Sequence, residues 1–443
     1  MSEQGPAITD RAPIFALLSA EAVSQVGNMM TVVAGPWFVL ETTGSAAKTG
    51  LVGAALVLGS VVPTVVGGPL VDRLGFKRAS VFADLASAAT VACVPLLYLA
   101  GVLTFWELLV LMFVLSSINS QGDTARYGLV PALANIGAMS IERANAADRA
   151  VVRIGSLVGP LLAGVLIALV GAANVLFVDA ATFSISATFV ALGVPMRASR
   201  AATLEAADER GYVSDLALGV PSGATGSAKV PSEARGGYFS ELLAGLRFVC
   251  ANTLILSMVL VATIGNSLDK PLIYVIAPVY AKTIYGNPES LGLMVGAFGG
   301  GALAGTLLYG AVAHRLPSRR LTYLSCFVAA PVVGFGTLAA TPPLGVVVAA
   351  AALAGLIAGP INPLFETVVQ EKTPPQMLGR TFGTLTALAY AGMPIGLILA
   401  GIVVEAVGLV PTIVGMGAIY LVVTLSMFFN PALRQMDAGA SER

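Results

Sequence analysis

Residues 49–78 read TGLVGAALVLGSVVPTVVGGPLVDRLGFKR, and this stretch decides the fold class. Residues 49–70 contain no charged side chain, and about 20 mostly apolar residues are what an α-helix needs to cross a bilayer. A helix is the one single-segment structure that satisfies its own backbone hydrogen bonds in lipid. The stretch therefore predicts a membrane-spanning helix that ends in a highly charged turn at residues 71–78.

The composition extends this prediction to the whole chain of 443 residues. Charged residues make up 11% and apolar residues 56%, whereas soluble domains carry about 25% charged residues. Such a chain cannot cover a water-facing surface with charge, which excludes a soluble globular protein and a disordered one. Because 24 basic residues balance 24 acidic ones, the sequence also lacks the basic footprint of a nucleic-acid binder. We expect an all-α polytopic membrane protein.

Twelve stretches have the length and hydropathy of a membrane span, and we number them in chain order. Their approximate ranges are 14–40, 49–70, 79–100, 106–126, 148–170, 173–194, 254–281, 290–312, 320–340, 344–370, 381–405 and 409–430. With the N-terminus in the cytoplasm, 21 of the 24 basic residues fall on or near the inner side, as the positive-inside rule requires. Lys48 and Lys282 fall outside, and Lys270 lies within a span. We expect a multi-pass protein of the cytoplasmic (inner) membrane with both termini in the cytoplasm.

The one long connection divides these spans into two groups of six. The expected domains are an N-terminal six-helix bundle at residues 1–194, a cytoplasmic linker at 195–252 and a C-terminal six-helix bundle at 253–443. Within the linker, the segment around residues 219–228 has the composition of a flexible chain. The residues that follow it, 240–249, predict an amphipathic helix at the inner membrane face.

An internal repeat supports the division into two groups. At an offset of 242 residues the matches include Gly50 with Gly292, Gly68 with Gly310, Arg73 with Arg315 and Arg78 with Arg320. At an offset of 237 they include Gly155 with Gly392, Gly159 with Gly396 and Gly164 with Gly401. Two long registers over corresponding spans indicate halves that arose by duplication and run in parallel topology.

The turn between spans 2 and 3 places one carboxylate among three cations. A simple positive-inside turn leaves this spacing unexplained. Position by position, residues 68–78 resemble the signature loop of the major facilitator superfamily. The resemblance implies that the carboxylate docks on a helix end of the opposite half and that the cations form a cytoplasmic latch. The gating residues are then Gly68, Asp72, Arg73, Gly75, Lys77 and Arg78. In the second-half copy, His314 takes the position of Asp72, which argues against an equivalent second latch.

Span 5 contains a second motif, GSLVGPLLAG at residues 155–164. Glycines four residues apart lie on one helix face and permit close helix approach, and a proline kinks the helix. The motif resembles the GxxxGP motif of proton-coupled exporters in the same superfamily, which favours antiport. Its residues are Gly155, Gly159, Pro160 and Gly164. Nearly the whole chain resembles the macrolide-efflux and siderophore-exporter branch. Many drug antiporters carry an arginine inside span 4, whereas Arg126 is expected at the cytoplasmic end of this span.

Two spans carry charged side chains where a charge needs a partner, a water-filled cavity or a function. Span 7 places Asp269 and Lys270 before a proline near its midpoint. Broken helices at this depth are where transporters bind substrates, and a neutralised pair at a kink is the alternative. Span 1 carries Glu21, Gln25 and Asn28 on one polar stripe. Glu21 is either a proton carrier or a carboxylate that is solvated or paired with an arginine. The expected proton-coupling residues are Glu21 and Asp269.

Further polar residues within the spans are candidates for substrate contacts or structural pairs. The expected substrate-binding residues are Gln25, Asn28, Asn119, Asn266, Lys270, Tyr274, Asn362 and Tyr390. Residues 359–363 read GPINP and predict a broken helix in span 10. Asp84 is expected to pair with Arg149 or Arg153, and Asp179 is expected to form hydrogen bonds.

Together these features predict a proton-coupled secondary active exporter of amphipathic small molecules that works by alternating access. An exporter of an endogenous siderophore or lipid-like metabolite is an alternative, in which Lys270 would face an anionic group. A non-transporting membrane receptor or scaffold on the same fold is another. An enzyme is not expected, because the sequence contains no GxSxG, HExxH or P-loop motif. Three cysteines without CxxC spacing argue against a metal site. We expect no cofactor, a monomer, and the substrate, protons and the bilayer as partners.

Overall fold

The computed structural model describes residues 10–66, 74–196, 198, 238–316, 318–374 and 377–437. Within these ranges all regular structure is helical, and no β-strand occurs. The predicted all-α fold class is therefore confirmed. The predicted flexible segment at 219–228 lies outside the described residues.

Twelve long helices and one shorter helix account for most of the described chain. The first six are α1 (Ala12–Thr43), α2 (Ala46–Val66), α3 (Phe76–Leu99), α4 (Phe105–Ile136), α5 (Ile141–Val170) and α6 (Ala172–Gly193). The others are α7 (Tyr238–Ala251), α8 (Thr253–Tyr285), α9 (Pro288–Val312), α10 (Arg319–Ala339), α11 (Leu344–Lys372), α12 (Leu378–Ala391 and Met393–Val407) and α13 (Leu409–Phe429). Helix α7 covers the predicted amphipathic helix, and the long helices correspond to the predicted spans 1–12.

Ten helices of the described ranges are long and apolar enough to cross a membrane. The remaining two predicted spans, α1 and α4, are helices of 32 residues each, which gives a length of about 48 Å. They fall short in hydropathy because their interiors carry polar groups, among them Glu21 and Gln25 in α1 and Asp123 and Arg126 in α4. The polar groups within α1 and α4 make these two helices candidates for the functional site.

Helix boundaries follow from short polar residues and glycines. Thr104 and Glu107 form a reciprocal capping box at the start of α4, in which the Thr104 N–H donates to Glu107 Oε2 at 2.8 Å. Such caps satisfy N–H groups that have no partner within the helix. Gly44 ends α1 with a φ of 69°, and Gly286 ends α8 with a φ of 72°. These left-handed conformations favour glycine because it has no side chain to clash.

The helices before the linker pack chiefly on one another, as do those after it, and the most extensive contacts between the groups are those of α2 with α12 and of α5 with α9. Both crossings bring backbones into close contact. A Cβ added to Gly50 would lie 2.3 Å from Leu397 O, and one added to Gly292 would lie 2.6 Å from Pro160 O. The offsets of 242 and 237 residues map Gly50 onto Gly292 and Pro160 onto Leu397. The internal repeat therefore relates the two crossings to each other.

The two groups of helices are joined at one end, which carries the α1–α2, α8–α9 and α12–α13 turns and is called here the sealed end. The polar bonds that the described residues form between the groups involve Glu405 and Lys282, and both lie there. At the opposite end, Lys77 donates to Ala191 O at 2.8 Å and Arg319 pairs with Glu371 at 2.7 Å, each within its own group. Among the described residues, the hydrogen bonds between the two groups therefore lie at the sealed end.

Two predicted helix breaks have different outcomes. Span 7 is not broken at Pro271, since α8 continues with π-helical turns at Leu272–Ile276 and Ala281–Tyr285. A π-turn absorbs the hydrogen bond that proline cannot donate, so the helix persists where a break was expected. Helix α11 is interrupted at residues 359–360 between Leu344–Ala358 and Ile361–Lys372, as predicted.

Candidate functional site

One guanidinium and three carboxylates meet inside the first group of helices. Arg126 of α4 places Nε 2.6 Å from Glu21 Oε2, Nη1 2.6 Å from Asp84 Oδ1 and Nη2 2.5 Å from Asp123 Oδ1. The carboxylates come from α1, α3 and α4, so one side chain connects three helices. Arginine suits this position because its planar fork directs several donors at once and it always stays charged.

The members of this cluster differ strongly in their contact with solvent. The exposed fraction of the side chain is 2% for Arg126, 1% for Asp84 and 9% for Glu21, but 44% for Asp123. Ser186 of α6 donates to the second oxygen of Asp84 at 2.7 Å. Asp84 is therefore the deepest acidic member, and Asp123 is the member with the largest exposed fraction.

The formal charges of the cluster do not cancel. With every group ionised, three carboxylates and one guanidinium leave an excess of two negative charges. Unbalanced charge is costly in a low-dielectric interior, and a proton bound by one carboxylate would reduce the excess. A site that can hold a proton, lies inside a helix bundle and has one exposed member has the chemistry that proton coupling requires.

Several sequence predictions about this region were wrong. Arg126 does not lie at the end of its helix, since α4 continues to Ile136. Asp84 pairs with Arg126 rather than with Arg149 or Arg153. Arg149 instead lies 5.9 Å from the Tyr127 ring, counted from its guanidinium carbon to the ring centre. Because the spans are apolar on all sides, hydropathy does not reveal which faces of two helices meet.

Glu21 and Asp123 differ in how well the sequence predicted their part in the Arg126 cluster. The structure places Glu21 in an ion pair with Arg126, and its role as a proton carrier stays a prediction. Asp123 was not predicted as a site residue. Its signal was present, because Asp123 and Arg126 stand three residues apart and share a helix face.

The charged residues of span 7 form a second polar position. Tyr420 of α13 donates to Asp269 Oδ2 at 3.3 Å. Lys270 is partly buried, and within the described residues it forms no hydrogen bond and no ion pair shorter than 4 Å. Consecutive residues project about 100° apart around a helix, so Asp269 and Lys270 do not share one face. One turn later, Tyr274 packs at the α2–α12 crossing, where a Cβ added to Gly53 would lie 3.1 Å from Tyr274 Cβ.

The other predicted substrate contacts differ in their packing and exposure. Gln25 lies against α5, where a Cβ added to Gly155 would be 2.6 Å from Gln25 Cγ. Asn266 uses its amide to donate to Ala389 O of α12 at 3.1 Å. Of the rest, Asn28 and Asn119 are partly buried, and Asn362 and Tyr390 are exposed. The buried Asn119 Oδ1 has no hydrogen-bond partner among the described residues.

Asp179 of α6 is a fully buried carboxylate. The hydroxyl of Thr31 donates to one of its oxygens, and the hydroxyl of Thr182 donates to the other at 3.0 Å. The prediction that Asp179 forms hydrogen bonds is confirmed. The described residues supply it with hydroxyl donors only and with no basic partner.

The two sequence motifs lie at helix contacts. In α5, a Cβ added to Gly159 would lie 2.4 Å from Met29 Cβ, and one added to Gly164 would lie 3.0 Å from Gly292 Cα. Pro160 lies inside the same helix. In the loop motif, Gly75 precedes α3 with a φ of 78°, Lys77 binds the end of α6, and Arg78 is exposed. Gly68, Asp72 and Arg73 lie outside the described residues.

Two groups of helices joined at one end, with buried charges between spans, define a polytopic membrane transporter. Comparison with known proteins agrees. A model of the Major Facilitator Superfamily matches residues 17–330 and 255–442. The chain is 32% identical over 435 residues to the multidrug efflux pump Tap of Mycolicibacterium fortuitum, which covers 98% of this chain and 99% of the relative. It is 27% identical over 398 residues to the enterobactin exporter EntS of Salmonella choleraesuis, strain SC-B67, which covers 87% of this chain and 84% of that relative.

Among solved structures, the nucleoside transporter NupG superposes with a TM-score of 0.68 at 14% identity and covers 94% of this chain and 98% of the other. This likeness concerns the fold. The chain belongs to the major facilitator superfamily. It is a multi-pass membrane transport protein rather than an enzyme.

Proposed function

We propose that this chain is a proton-coupled exporter that expels amphipathic small molecules from the cytoplasm by alternating access. It would act as a monomer in the cytoplasmic membrane, with both termini inside and the sealed end outside. The distribution of basic residues supports this orientation. In this orientation the hydrogen bonds between the two groups close the outer side, as expected of the state that loads an exported substrate from the cytoplasm.

The observation that carries the proposal is the Arg126 cluster. Three carboxylates compete for one guanidinium, so a proton can occupy a carboxylate without leaving the arginine unpaired. The exposed Asp123 gives protons a way in, and Glu21 connects the cluster to α1. A change in protonation therefore alters a contact between two helices, which is how a local charge can bias a conformational equilibrium.

The test uses purified protein in vesicles with an imposed proton gradient. We expect Glu21→Gln and Asp123→Asn to abolish the dependence of drug transport on the gradient, because each removes one proton-binding group from the cluster. The matched control is Glu366→Gln, an exposed carboxylate outside it. The predicted role of Asp269 is tested in parallel by Asp269→Asn. Full coupling in both cluster variants would refute the assignment.

A second candidate substrate is an anionic endogenous metabolite such as a siderophore. Lys270 favours it, because a partly buried cation without a close partner in the described residues can accept an acidic group. The relationship to a protein named as an enterobactin exporter points the same way. We expect Lys270→Gln to lower transport of anionic substrates more than of neutral ones. Lys372→Gln, a cation in the second half of α11, is the control. Equal transport of anionic substrates in both variants would refute this role.

A further inference from the structure

The turn between α1 and α2 is held by two charged side chains from the other group of helices. Lys282 of α8 donates from Nζ to Leu40 O at 2.6 Å, at the C-terminal end of α1. Glu405 of α12 accepts through Oε1 from Ser45 Oγ at 2.5 Å and from the Ala47 N–H at 3.0 Å, at the N-terminal end of α2. We call these two contacts the sealed-end clamp.

Both charges have the sign that the helix end favours. The C-terminus of a helix carries partial negative charge and attracts a cation, as Lys282 does at α1. The N-terminus carries partial positive charge and unpaired N–H groups, and it attracts an anion, as Glu405 does at α2. One turn thus offers both signs within a few residues, and the opposite group of helices matches both.

The clamp breaks the internal symmetry of the molecule. The offset of 242 residues maps Ser45 onto Asn287, which caps its own helix by accepting from the Ser290 N–H at 3.0 Å. The offset of 237 maps Glu405 onto Ala168, which carries no charge. Among the described residues, the α5–α9 crossing consists of backbone and apolar side-chain contacts, whereas the α2–α12 crossing adds hydrogen bonds to the charged Glu405.

We propose that the sealed-end clamp is a conformational latch that stabilises the state closed at this end and that must break for the transporter to open there. The inference extends the proposed alternating-access function to one named set of contacts. Neither Lys282 nor Glu405 would then contact substrate. Their removal would shift the balance between the two states while leaving both helix crossings intact.

The distance between the two groups at the sealed end tests this directly. A protein whose cysteines Cys93, Cys250 and Cys326 are replaced by serine carries spin labels at Val102→Cys and Gly345→Cys. Val102 is 57% exposed, and a Cβ at Gly345 meets nothing within 4 Å. Both positions lie in sealed-end connections or at their margins, one in each group of helices. Double electron–electron resonance in lipid nanodiscs then reports the populations of closed and open states without any substrate.

The variants are Glu405→Gln and Lys282→Met, which keep an unbranched side chain of similar size and remove the charge. We expect each to lower the ratio of closed to open populations about fivefold, since one charge at a helix end is lost. The control is Glu41→Gln, an exposed carboxylate at the end of α1 that takes no part in the clamp. A size-exclusion profile identical to that of the parent protein confirms folding of each variant.

The outcomes separate the two proposals. The latch is supported if the spin-label distance increases in both clamp variants and does not change in Glu41→Gln. This result is independent of whether proton-coupled transport is found in vesicles. Distance distributions that match Glu41→Gln in both clamp variants would overturn it, even if coupled transport is present. Failure of coupling in the vesicle assay bears on the Arg126 cluster alone, because the clamp lies at the far end of the helices.

Discussion

Replacing Arg126 with methionine is the sharpest test of the buried cluster. Arg126→Met keeps an unbranched side chain but removes the partner of three carboxylates. Removal of one partner from a buried ion pair costs about 3–5 kcal/mol, mostly because the other charge stays buried and unpaired. Asp84 and Glu21 are 1% and 9% exposed and bear this cost. Asp123 is 44% exposed and therefore adds little.

The expected loss for Arg126→Met is therefore about 3–5 kcal/mol in the free energy of unfolding, measured by denaturant titration in mixed micelles. Adding Glu21→Gln and Asp84→Asn should recover most of it, because neutral amides of similar shape replace the stranded carboxylates. Arg153→Met is the control, since Arg153 is exposed, and it should change stability by less than about 0.5 kcal/mol. A triple variant less stable than Arg126→Met, or an Arg126→Met protein within about 1 kcal/mol of the parent, would refute this reasoning.

Two more predictions concern packing and the second buried carboxylate. Gly50→Ala should favour opening of the sealed end by about 1–3 kcal/mol, because its new Cβ would lie 2.3 Å from Leu397 O and force α2 and α12 apart. Spin-label distances between the two groups of helices measure this opening. The control is Gly336→Ala, since a Cβ at Gly336 meets nothing within 4 Å. Thr31→Val should destabilise the protein by about 1–3 kcal/mol, because it leaves one oxygen of the buried Asp179 without a donor; the same denaturant titration measures it.

Each of these predictions has a result that contradicts it. If Gly50→Ala and Gly336→Ala gave the same distance distribution, the backbone contact at the crossing would not limit opening. If Thr31→Val were as stable as the parent, the hydroxyl would not satisfy Asp179, and water or another donor would take its place.

Much of the fold was predictable from sequence because lipid imposes a local rule. A segment in the bilayer must satisfy its own backbone hydrogen bonds, so an apolar stretch of sufficient length specifies a helix regardless of its neighbours. The interruption of α11 at residues 359–360 was predicted for the same reason, since proline acts on its own helix. The continuous α8 was not, because a π-turn is an alternative response to proline that residue type alone does not distinguish.

The candidate site was predictable in part. Glu21 and Asp269 stand out from sequence because a charge in an apolar span is conspicuous. Their partners do not, because Arg126 lies 105 residues from Glu21 and Tyr420 lies 151 residues from Asp269. When a span is apolar on all sides, its sequence does not indicate which of its faces packs against neighbouring helices.

The sequence by itself determined the helices, their expected direction through the membrane, the internal repeat and the family. These follow from hydropathy, charge and residue spacing along the chain. Only the tertiary structure decided which end is closed, that Arg126 gathers three carboxylates, and that Glu405 reaches Ser45 across 360 residues. The physical reason is that such contacts depend on how helices rotate and cross, which is set by packing between segments rather than within one.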